Sequence, residues 1–319
     1  MDYLIGIDIG GTKSAVSLAD EKLEIVDRKS IITGTRTDPN KVLDRFIQMI
    51  WSLLEDHRIA ISKVAGIGVS CGGPLDPVEG VILSPPNLPL WVRVPVRQRL
   101  QEAFNLSVTV ENDANATALA EWKLGAGRGT HHFIYLTWGT GIGGGLIMDG
   151  KLYRGATGMA GEAGHQTLLP DGPLCGCGKR GCLEALAAGP AVARMCKERA
   201  TSGQIQHWLE LTPDEAEPNA KVVIRAAQAR DEVAASILKE AGRYMGIGLA
   251  NLIQIINPER IALGTLAIHA GELLLAPVRE AINEYAWPQL SAACEVVPAE
   301  LGDRAQDMAA LVLVSLGDG

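Results

Sequence analysis

Hydrophobic residues along the chain follow two periods, one typical of buried strands and the other of amphipathic helices. Continuous apolar runs such as Leu4–Ile9, Val64–Val69 and Ile261–Leu263 indicate buried strands. Apolar side chains at helical spacing predict helices at Pro39–His57 and Ala234–Ile256. Because strands and helices alternate along the chain, the pattern favours an α/β fold with mixed sheets.

One pattern occurs twice. The stretches Ile5–Leu18 and Phe133–Met148 each have a strand, a glycine-rich turn with a threonine, and a second strand. This weak repeat in element order predicts two related α/β halves. We therefore expect an N-terminal domain at 1–124 and a C-terminal domain at 125–302 that carries a cysteine-rich loop. A helix at about 303–317 is expected to pack back on the first domain.

Composition narrows the class of protein. The chain has 319 residues, 47% of them hydrophobic, with a formal net charge of −8. The length suffices for two domains, and the acidic balance argues against a nucleic-acid-binding surface. The start of the chain has no basic segment followed by an apolar one, so no signal peptide is expected. The longest apolar stretch, Tyr244–Ile256, is too short to span a bilayer, and we expect a cytoplasmic protein without membrane contact.

A cluster of metal-ligand residues is the most specific local signal. One histidine and three cysteines, His165, Cys175, Cys177 and Cys182, make a Cys₃His set, which suits tetrahedral Zn²⁺ with every position filled by protein. A redox site would favour Cys-x-x-Cys, a spacing that is absent here. A reduced, metal-free loop is the alternative. A structural zinc would also fix the positions of Glu162 and Glu184, which otherwise are ordinary solvated surface acids.

The two glycine-rich turns predict a nucleotide site. "DIGGTK" (Asp8–Lys13) offers unobstructed backbone N–H groups, a hydroxyl, a cation and an acid, which suit polyphosphate and Mg²⁺. "GTGIGGG" (Gly139–Gly145) offers a second set of such groups. Either turn alone can be a simple hairpin. Two at equivalent places in two halves fit a nucleotide held in a cleft between domains.

An acidic position follows a short strand. Glu111, Asn112 and Asp113 follow the strand Val108–Val110 and precede a predicted helix at Ala114–Trp122. Side chains at such a strand end can enter a cleft. The alternative is that Asn112 and Asp113 only cap the helix.

Several motifs in a fixed order resemble the ROK family (repressor, open reading frame, kinase) of sugar kinases, within the actin-like ATPase superfamily. The long helix and "INPERIALG" extend the resemblance beyond the cysteine cluster. The resemblance implies two actin-like (ribonuclease H-like) domains with a ligand cleft between them, and a homodimer. The motifs are "DIGGTK", "GIGVSCGGPLD" (Gly66–Asp76), "PPNL" (Pro85–Leu88), "END" (Glu111–Asp113), "GTGIGGG", "GEAGH" (Gly161–His165) and "CGCGKRGCLE" (Cys175–Glu184).

The resemblance also implies residue roles. Asp113 would be the general base on the sugar hydroxyl, and His165 would serve both sugar and zinc. The further sugar-binding residues implied are Gly72, Gly73, Asn87, Asn112, Glu162 and Glu184. The residues implied around ATP and Mg²⁺ are Asp8, Gly10, Gly11, Thr12, Lys13, Thr140, Gly141, Gly143, Gly144 and Gly264.

One position departs from the family pattern. Consecutive glycines usually follow the strand at Ile261–Leu263, whereas this chain has Gly264-Thr265-Leu266. Leu266 is therefore expected to narrow the adenosine pocket.

The resemblance leaves three functions open. The first is an ATP-dependent kinase for the 6-hydroxyl of a hexose or N-acylhexosamine, of glucokinase, fructokinase or N-acetylmannosamine kinase type. The second is a sugar-responsive regulator, which would carry an N-terminal helix-turn-helix module that we do not expect before Asp8. The third is a sugar-binding protein without catalysis, against which Asp113 and the two turns argue.

Overall fold

The computed structural model describes residues 2–316 and divides into two compact units. As far as they are described, the first comprises Met1–Lys123, Gly155–Gly158 and Asp303–Gly319, and the second Leu124–Arg154 and Met159–Gly302. Residue 317, the predicted end of the final helix, lies outside the described residues.

The first unit is built on a five-stranded mixed sheet. Its first three strands form the predicted meander, and a fourth and fifth strand run parallel to the first. Helix α1 buries Val42, Phe46 and Ile50 against this sheet, as its apolar spacing predicts. The elements are β1 Tyr3–Ile9, β2 Lys13–Asp20, β3 Ile25–Ile32, α1 Pro39–Asp56, β4 Val64–Cys71, β5 Leu75–Asp76, β6 Val81–Ile82, α2 Val96–Phe104, β7 Val108–Asn112 and α3 Asp113–Leu124.

The second unit has a five-stranded sheet covered by more helices. Its long helix α8 buries Met245, Leu249 and Ile253 in a core shared with the sheet and the neighbouring helices. The elements are β8 Phe133–Leu136, β9 Gly144–Met148, β10 Lys151–Leu152, α4 Leu183–Ala187, α5 Gly189–Arg199, α6 Ser202–Glu210, α7 Ala220–Gln228, α8 Glu232–Ile256, β11 Arg260–Leu263, α9 Leu266–Ala270, α10 Glu272–Tyr285, α11 Pro288–Ser291 and β12 Glu295–Pro298. The last helix, α12 Ala305–Leu316, belongs to the first unit.

The two sheets have the same topology. Their strand orders are β3-β2-β1-β4-β7 and β10-β9-β8-β11-β12. In each sheet the first three strands along the chain pair antiparallel, and the remaining two pair parallel to the first strand or to each other. The α/β prediction with mixed sheets and related halves is therefore confirmed.

Helix α12 lies directly on the backbone of β1 and β4. A Cβ atom built on Gly68 would stand 1.9 Å from the carbonyl oxygen of Ala310, so only glycine permits this approach. The helix is also held through Asp307, which accepts hydrogen bonds from Ser17 Oγ at 2.8 Å and Arg28 Nε at 2.9 Å. These contacts join the end of the chain to its first strands.

Gly68→Ala is expected to destabilise the protein by about 1–3 kcal/mol or more, because the new methyl group overlaps the α12 backbone. Urea unfolding of the variant and the parent measures the difference. Gly203→Ala is the matched control, since a Cβ at Gly203 meets no atom within 4 Å and the residue lies in α6. An unchanged unfolding midpoint for Gly68→Ala would contradict the described packing.

Some elements were not predicted. The helices and strands predicted from apolar spacing do not include α5, α6, α7 or the edge strand β12. Helix α10 carries Pro277 in its interior, which obscured its otherwise helical spacing of apolar residues. Over the part of the chain described here, every helix is too short or too polar to cross a membrane.

Candidate active site and metal centre

The first glycine-rich turn connects β1 and β2 as a hairpin. A Cβ on Gly10 would lie 2.5 Å from the carbonyl oxygen of Lys13, and one on Gly11 would lie 2.8 Å from that of Asn87. The turn therefore needs both glycines to keep this shape. The side chains of Thr12 and Lys13 are exposed and available to a ligand. The prediction of a hairpin is therefore confirmed. A hairpin of this shape is also compatible with phosphate binding.

Asp8 is the last residue but one of β1, just before this turn, and it lies close to other acidic side chains. Burial, followed by the charges of Asp113 and Asp307, raises the pKa of Asp8 to about 7, and the Arg28 guanidinium opposes this only in part. An anion disfavoured in this way gains from a bound cation. Asp8 is one carboxylate, and Mg²⁺ commonly takes one or two protein carboxylates together with substrate phosphates. The residue therefore fits a metal that arrives with a nucleotide.

Asn112 and Asp113 have different roles at the start of α3. Asn112 Oδ1 accepts hydrogen bonds from the backbone N–H groups of Ala114 at 2.9 Å and Asn115 at 3.3 Å, so this side chain caps the helix. Its Nδ2 faces Gly73, where a Cβ would stand 3.1 Å away. The capping alternative is thus correct for the Asn112 oxygen, and it leaves the amide nitrogen for other partners.

Asp113 presents one carboxylate oxygen away from its own helix. Its Oδ1 accepts a hydrogen bond from the Ala114 N–H at 2.8 Å. Its Oδ2 lies near Gly72, 3.6 Å from where a Cβ would be, and the Asn87 amide lies near the same point. The Asp113 side chain is exposed on one side and surrounded by protein atoms on the others. The resulting loss of hydration raises the pKa of Asp113. A carboxylate with a raised pKa is a better proton acceptor at neutral pH.

The second glycine-rich turn connects β8 and β9. Thr137 closes it, since its Oγ1 accepts the Gly143 N–H at 2.8 Å. Thr140 is exposed and Gly141 and Gly143 are partly exposed, whereas Gly144 is buried. A Cβ on Gly144 would lie 2.7 Å from the carbonyl oxygen of Gly161, so this glycine serves packing rather than ligand access.

The four zinc-ligand candidates come together in the second unit. The ligand atoms of His165, Cys175, Cys177 and Cys182 all lie within 4.8 Å of one another, and they are the one group of three or more metal-ligating side chains among residues 2–316. The Cys177 and Cys182 Sγ atoms are 3.7 Å apart, and Cys175 Sγ is 3.6 Å from His165 Nδ1.

These distances match a tetrahedral zinc site. Zinc bonds of usual length give tetrahedral edges of about 3.8 Å between two sulfurs and about 3.6 Å between sulfur and nitrogen. The residues present therefore fit a structural Zn²⁺ bound through His165 Nδ1. His165 Nε2 is left free for another partner and lies 3.7 Å from Glu162 Oε2.

Glu162 and Glu184 differ in their surroundings. The Glu162 side chain is 55% exposed and has no protein contact closer than the one to His165 among those found in the described chain. Glu184 is half-buried, and its Oε2 accepts the backbone N–H of Ile142 at 2.9 Å. The solvated-surface alternative thus applies to Glu162 by exposure and not to Glu184.

The segment after β11 differs from the sequence-based expectation. Leu266 is buried in the core of the second unit, so it does not narrow a ligand pocket. In Gly264-Thr265-Leu266 the exposed side chain is that of Thr265, and its Oγ1 lies 3.9 Å from a Cβ built on Gly139. Gly264 is buried, where a Cβ would stand 2.7 Å from the Tyr135 hydroxyl, so this glycine is required by packing.

The predicted site residues thus fall into two groups. The first unit brings together Asp8, Gly10, Gly11, Gly72, Gly73, Asn87, Asn112 and Asp113, with Thr12 and Lys13 on the same turn. The second unit brings together the zinc ligands, Glu162, Glu184, the second turn and Gly264. Sequence reasoning missed Asp307 and Arg28, which act on Asp8 from distant parts of the chain and carry no local motif.

Comparison with known proteins places these features in a family. The model of the ROK family matches residues 4–316. A glucokinase from Halalkalibacterium halodurans is 35% identical over 305 residues, covering 95% of this chain and 92% of the relative. A xylose repressor from Caldicellulosiruptor bescii is 33% identical over 98% of this chain and 77% of the repressor.

Two solved structures are similar over nearly the whole chain. A ROK hexokinase from Thermus thermophilus has a TM-score of 0.82 and 35% identity, over 99% of this chain and 100% of the other. A ROK family glucokinase from Streptomyces griseus, solved in complex with glucose and AMPPNP, has a TM-score of 0.82 and 34% identity with the same coverage.

Proposed function

Because the chain belongs to the ROK family, we propose that it is an ATP-dependent sugar kinase of glucokinase type. It transfers the γ-phosphate of ATP to the 6-hydroxyl of a hexose or N-acylhexosamine. The observation that carries the proposal is the free Oδ2 of Asp113, which lies beside Gly72 and Asn87 in the unit that also holds the first glycine-rich turn. The Streptomyces griseus relative, whose structure contains glucose and a nucleotide analogue, supports the substrate class.

Asp113 acts as the general base in this proposal. The sugar hydroxyl is a poor nucleophile at neutral pH, and Asp113 Oδ2 accepts its proton as it attacks the γ-phosphate. Helix α3 holds Asp113 at its first position, and Asn112 fixes the start of that helix through its cap. Phosphoryl transfer depends on positioning and charge neutralisation more than on covalent catalysis. A base held in a fixed position is therefore sufficient for this part of the reaction.

Each glycine-rich turn offers groups that can bind phosphate. The first contributes the N–H groups between Gly10 and Lys13, the Thr12 hydroxyl and the Lys13 ammonium, and the second contributes the N–H groups of Thr140–Gly143. Asp8 would hold Mg²⁺, which when bound neutralises part of the phosphate charge. Successive backbone N–H groups form anion-binding concavities where no side chain obstructs them.

Each unit, taken by itself, offers polar side chains for sugar binding. In the first unit Asn87 and the Asn112 amide nitrogen are free to donate, and Gly72 and Gly73 leave room beside them. In the second unit the exposed Glu162 accepts from sugar hydroxyls. His165 Nε2, which a zinc ion bound at Nδ1 would leave free, makes a further contact with the sugar.

The affinity for Mg²⁺–ADP is expected to rise with pH. A group with a pKa of about 7 is mostly protonated at pH 6 and mostly ionised at pH 8, and only ionised Asp8 binds the metal. Calorimetric titration should therefore give a Kd about tenfold weaker at pH 6 than at pH 8. Asp8→Asn is the control, because it keeps the titration of the nucleotide itself and removes that of the protein. Equal pH dependence in the parent and in Asp8→Asn would exclude Asp8 as the metal ligand.

A panel of sugars tests the proposed function. Glucose, allose, fructose, mannose and N-acetylmannosamine are each mixed with ATP and the enzyme, and ADP release is followed by a coupled assay. A kinase releases ADP much faster with one of these sugars than without sugar. A sugar-binding regulator, the alternative favoured by the 33% identity to a xylose repressor, shows a calorimetric sugar signal and no sugar-stimulated ADP release.

A further inference from the structure

Glu184 connects the loop that carries the four zinc-ligand candidates (residues 165–182, here called the zinc loop) to the second glycine-rich turn. It lies two residues after the zinc-ligand candidate Cys182, at the start of α4. One carboxylate oxygen, Oε1, is 3.6 Å from Cys175 Sγ, and the other accepts the Ile142 N–H at 2.9 Å. A Cβ on Gly141 would stand 2.8 Å from that second oxygen, so the turn and the carboxylate fit closely.

The segments on both sides of the zinc ligands also contact this turn. Before His165, Gly164 packs so closely that a Cβ there would lie 2.1 Å from the Ile142 carbonyl oxygen. After Cys182, the Gly189 N–H donates to the Gly139 carbonyl at 2.7 Å, and Trp138 Nε1 donates to the Ala187 carbonyl at 2.8 Å. Residues 138–142 are therefore held by the segments on both sides of the zinc-ligand candidates, and Glu184 is the charged residue in these contacts.

We propose that Glu184 is a positioning residue for the phosphate-binding turn, in addition to any contact with sugar. The inference rests on the proposed function, because the turn is taken to bind the phosphates of ATP. Glycine-rich backbone loses much conformational freedom when it is ordered. A carboxylate that fixes the Ile142 N–H removes part of that cost before the nucleotide arrives, and so lowers the KM for ATP.

Three variants separate positioning from sugar binding. Glu184→Gln keeps an oxygen that accepts the Ile142 N–H, whereas Glu184→Ala removes the acceptor. Glu162→Ala is the matched control, since Glu162 flanks the same loop and its side chain forms no hydrogen bond or ion pair with residues 138–142 in the described chain. Two quantities are measured on each zinc-loaded variant, the hydrogen exchange rate of the Ile142 amide and the KM for ATP at saturating sugar.

Glu184→Ala is expected to speed exchange of the Ile142 amide by about tenfold and to raise the KM for ATP by about tenfold, as for loss of a hydrogen bond to a charged group. Glu184→Gln should return both quantities to within about threefold of the parent. Glu162→Ala should leave both unchanged and raise only the KM for sugar. Gly141→Ala, which displaces the carboxylate without removing it, should reproduce the faster exchange and thereby control for misfolding of Glu184→Ala.

The proposal is overturned if Glu184→Ala changes only the KM for sugar, or if Glu162→Ala speeds Ile142 exchange as much as Glu184→Ala does. Failure of the kinase assignment has a different signature, namely a parent protein without sugar-stimulated ATP turnover. In that case the Ile142 exchange rates still decide whether Glu184 orders the turn.

Discussion

Asp113→Asn is expected to lower kcat by about 10²–10⁴-fold, the usual effect of removing a general base, and to leave sugar binding nearly intact. Asparagine has almost the same size as aspartate and still accepts the Ala114 N–H, so the start of α3 keeps its shape. It does not accept the proton of the attacking hydroxyl. Steady-state kinetics and a calorimetric sugar titration of the variant measure the two quantities.

Asp44→Asn is the matched control, because this carboxylate in the same unit is 57% exposed and pairs with Arg99 on the surface. It should change kcat by less than about twofold, as expected for a surface ion pair. An Asp113→Asn enzyme that turns over within a few-fold of the parent would move the base to another carboxylate, with Glu162 the next candidate.

Cys177→Ser is expected to lower the zinc content from about one ion per chain and to reduce the Tm by about 5 °C, which corresponds to roughly 3–4 kcal/mol in a protein of this size. Cys177 is exposed, so its replacement costs almost nothing through burial. The large effect arises because serine is a poor zinc ligand and the remaining three residues no longer close the site. Sugar binding should weaken as well, since His165 loses its fixed position.

Cys294→Ser serves as the control for the thiol itself. Cys294 is partly buried and lies outside the cluster, so its variant should keep the zinc content and a nearly unchanged Tm. Metal analysis and thermal unfolding of both variants decide the matter. Folded, active parent protein without zinc would refute a structural metal.

The glycine-rich turns show what local sequence can predict. "DIGGTK" and "GTGIGGG" each stand between two apolar runs, and this arrangement alone predicted the paired hairpins that begin the two sheets. The cysteine cluster was equally local, because three of its members lie within eight residues, Cys175–Cys182. Features of this kind are encoded by neighbouring residues, and the structure confirms them.

Contacts between distant residues were beyond the sequence. Nothing near Asp8 indicates that Asp307, at the other end of the chain, raises its pKa, because α12 must first pack on Gly68. Likewise the Glu184 contact with Ile142 depends on how the zinc loop packs against the turn between β8 and β9. The burial of Leu266 was also missed, since a single leucine after a glycine carries no periodicity. Tertiary packing determines all three.

The central claim is that the chain moves the γ-phosphate of ATP onto a hexose. Phosphorus-31 NMR of a reaction containing enzyme, Mg²⁺, ATP and glucose, with the other sugars of the panel in parallel, tests it most directly. We expect the γ-phosphate signal to disappear while signals of ADP and of a phosphomonoester appear, the latter coupled to the protons on carbon 6 of one sugar. ADP and inorganic phosphate without a phosphomonoester, or an unchanged spectrum with every sugar while Asp113 and zinc are intact, would contradict this transfer.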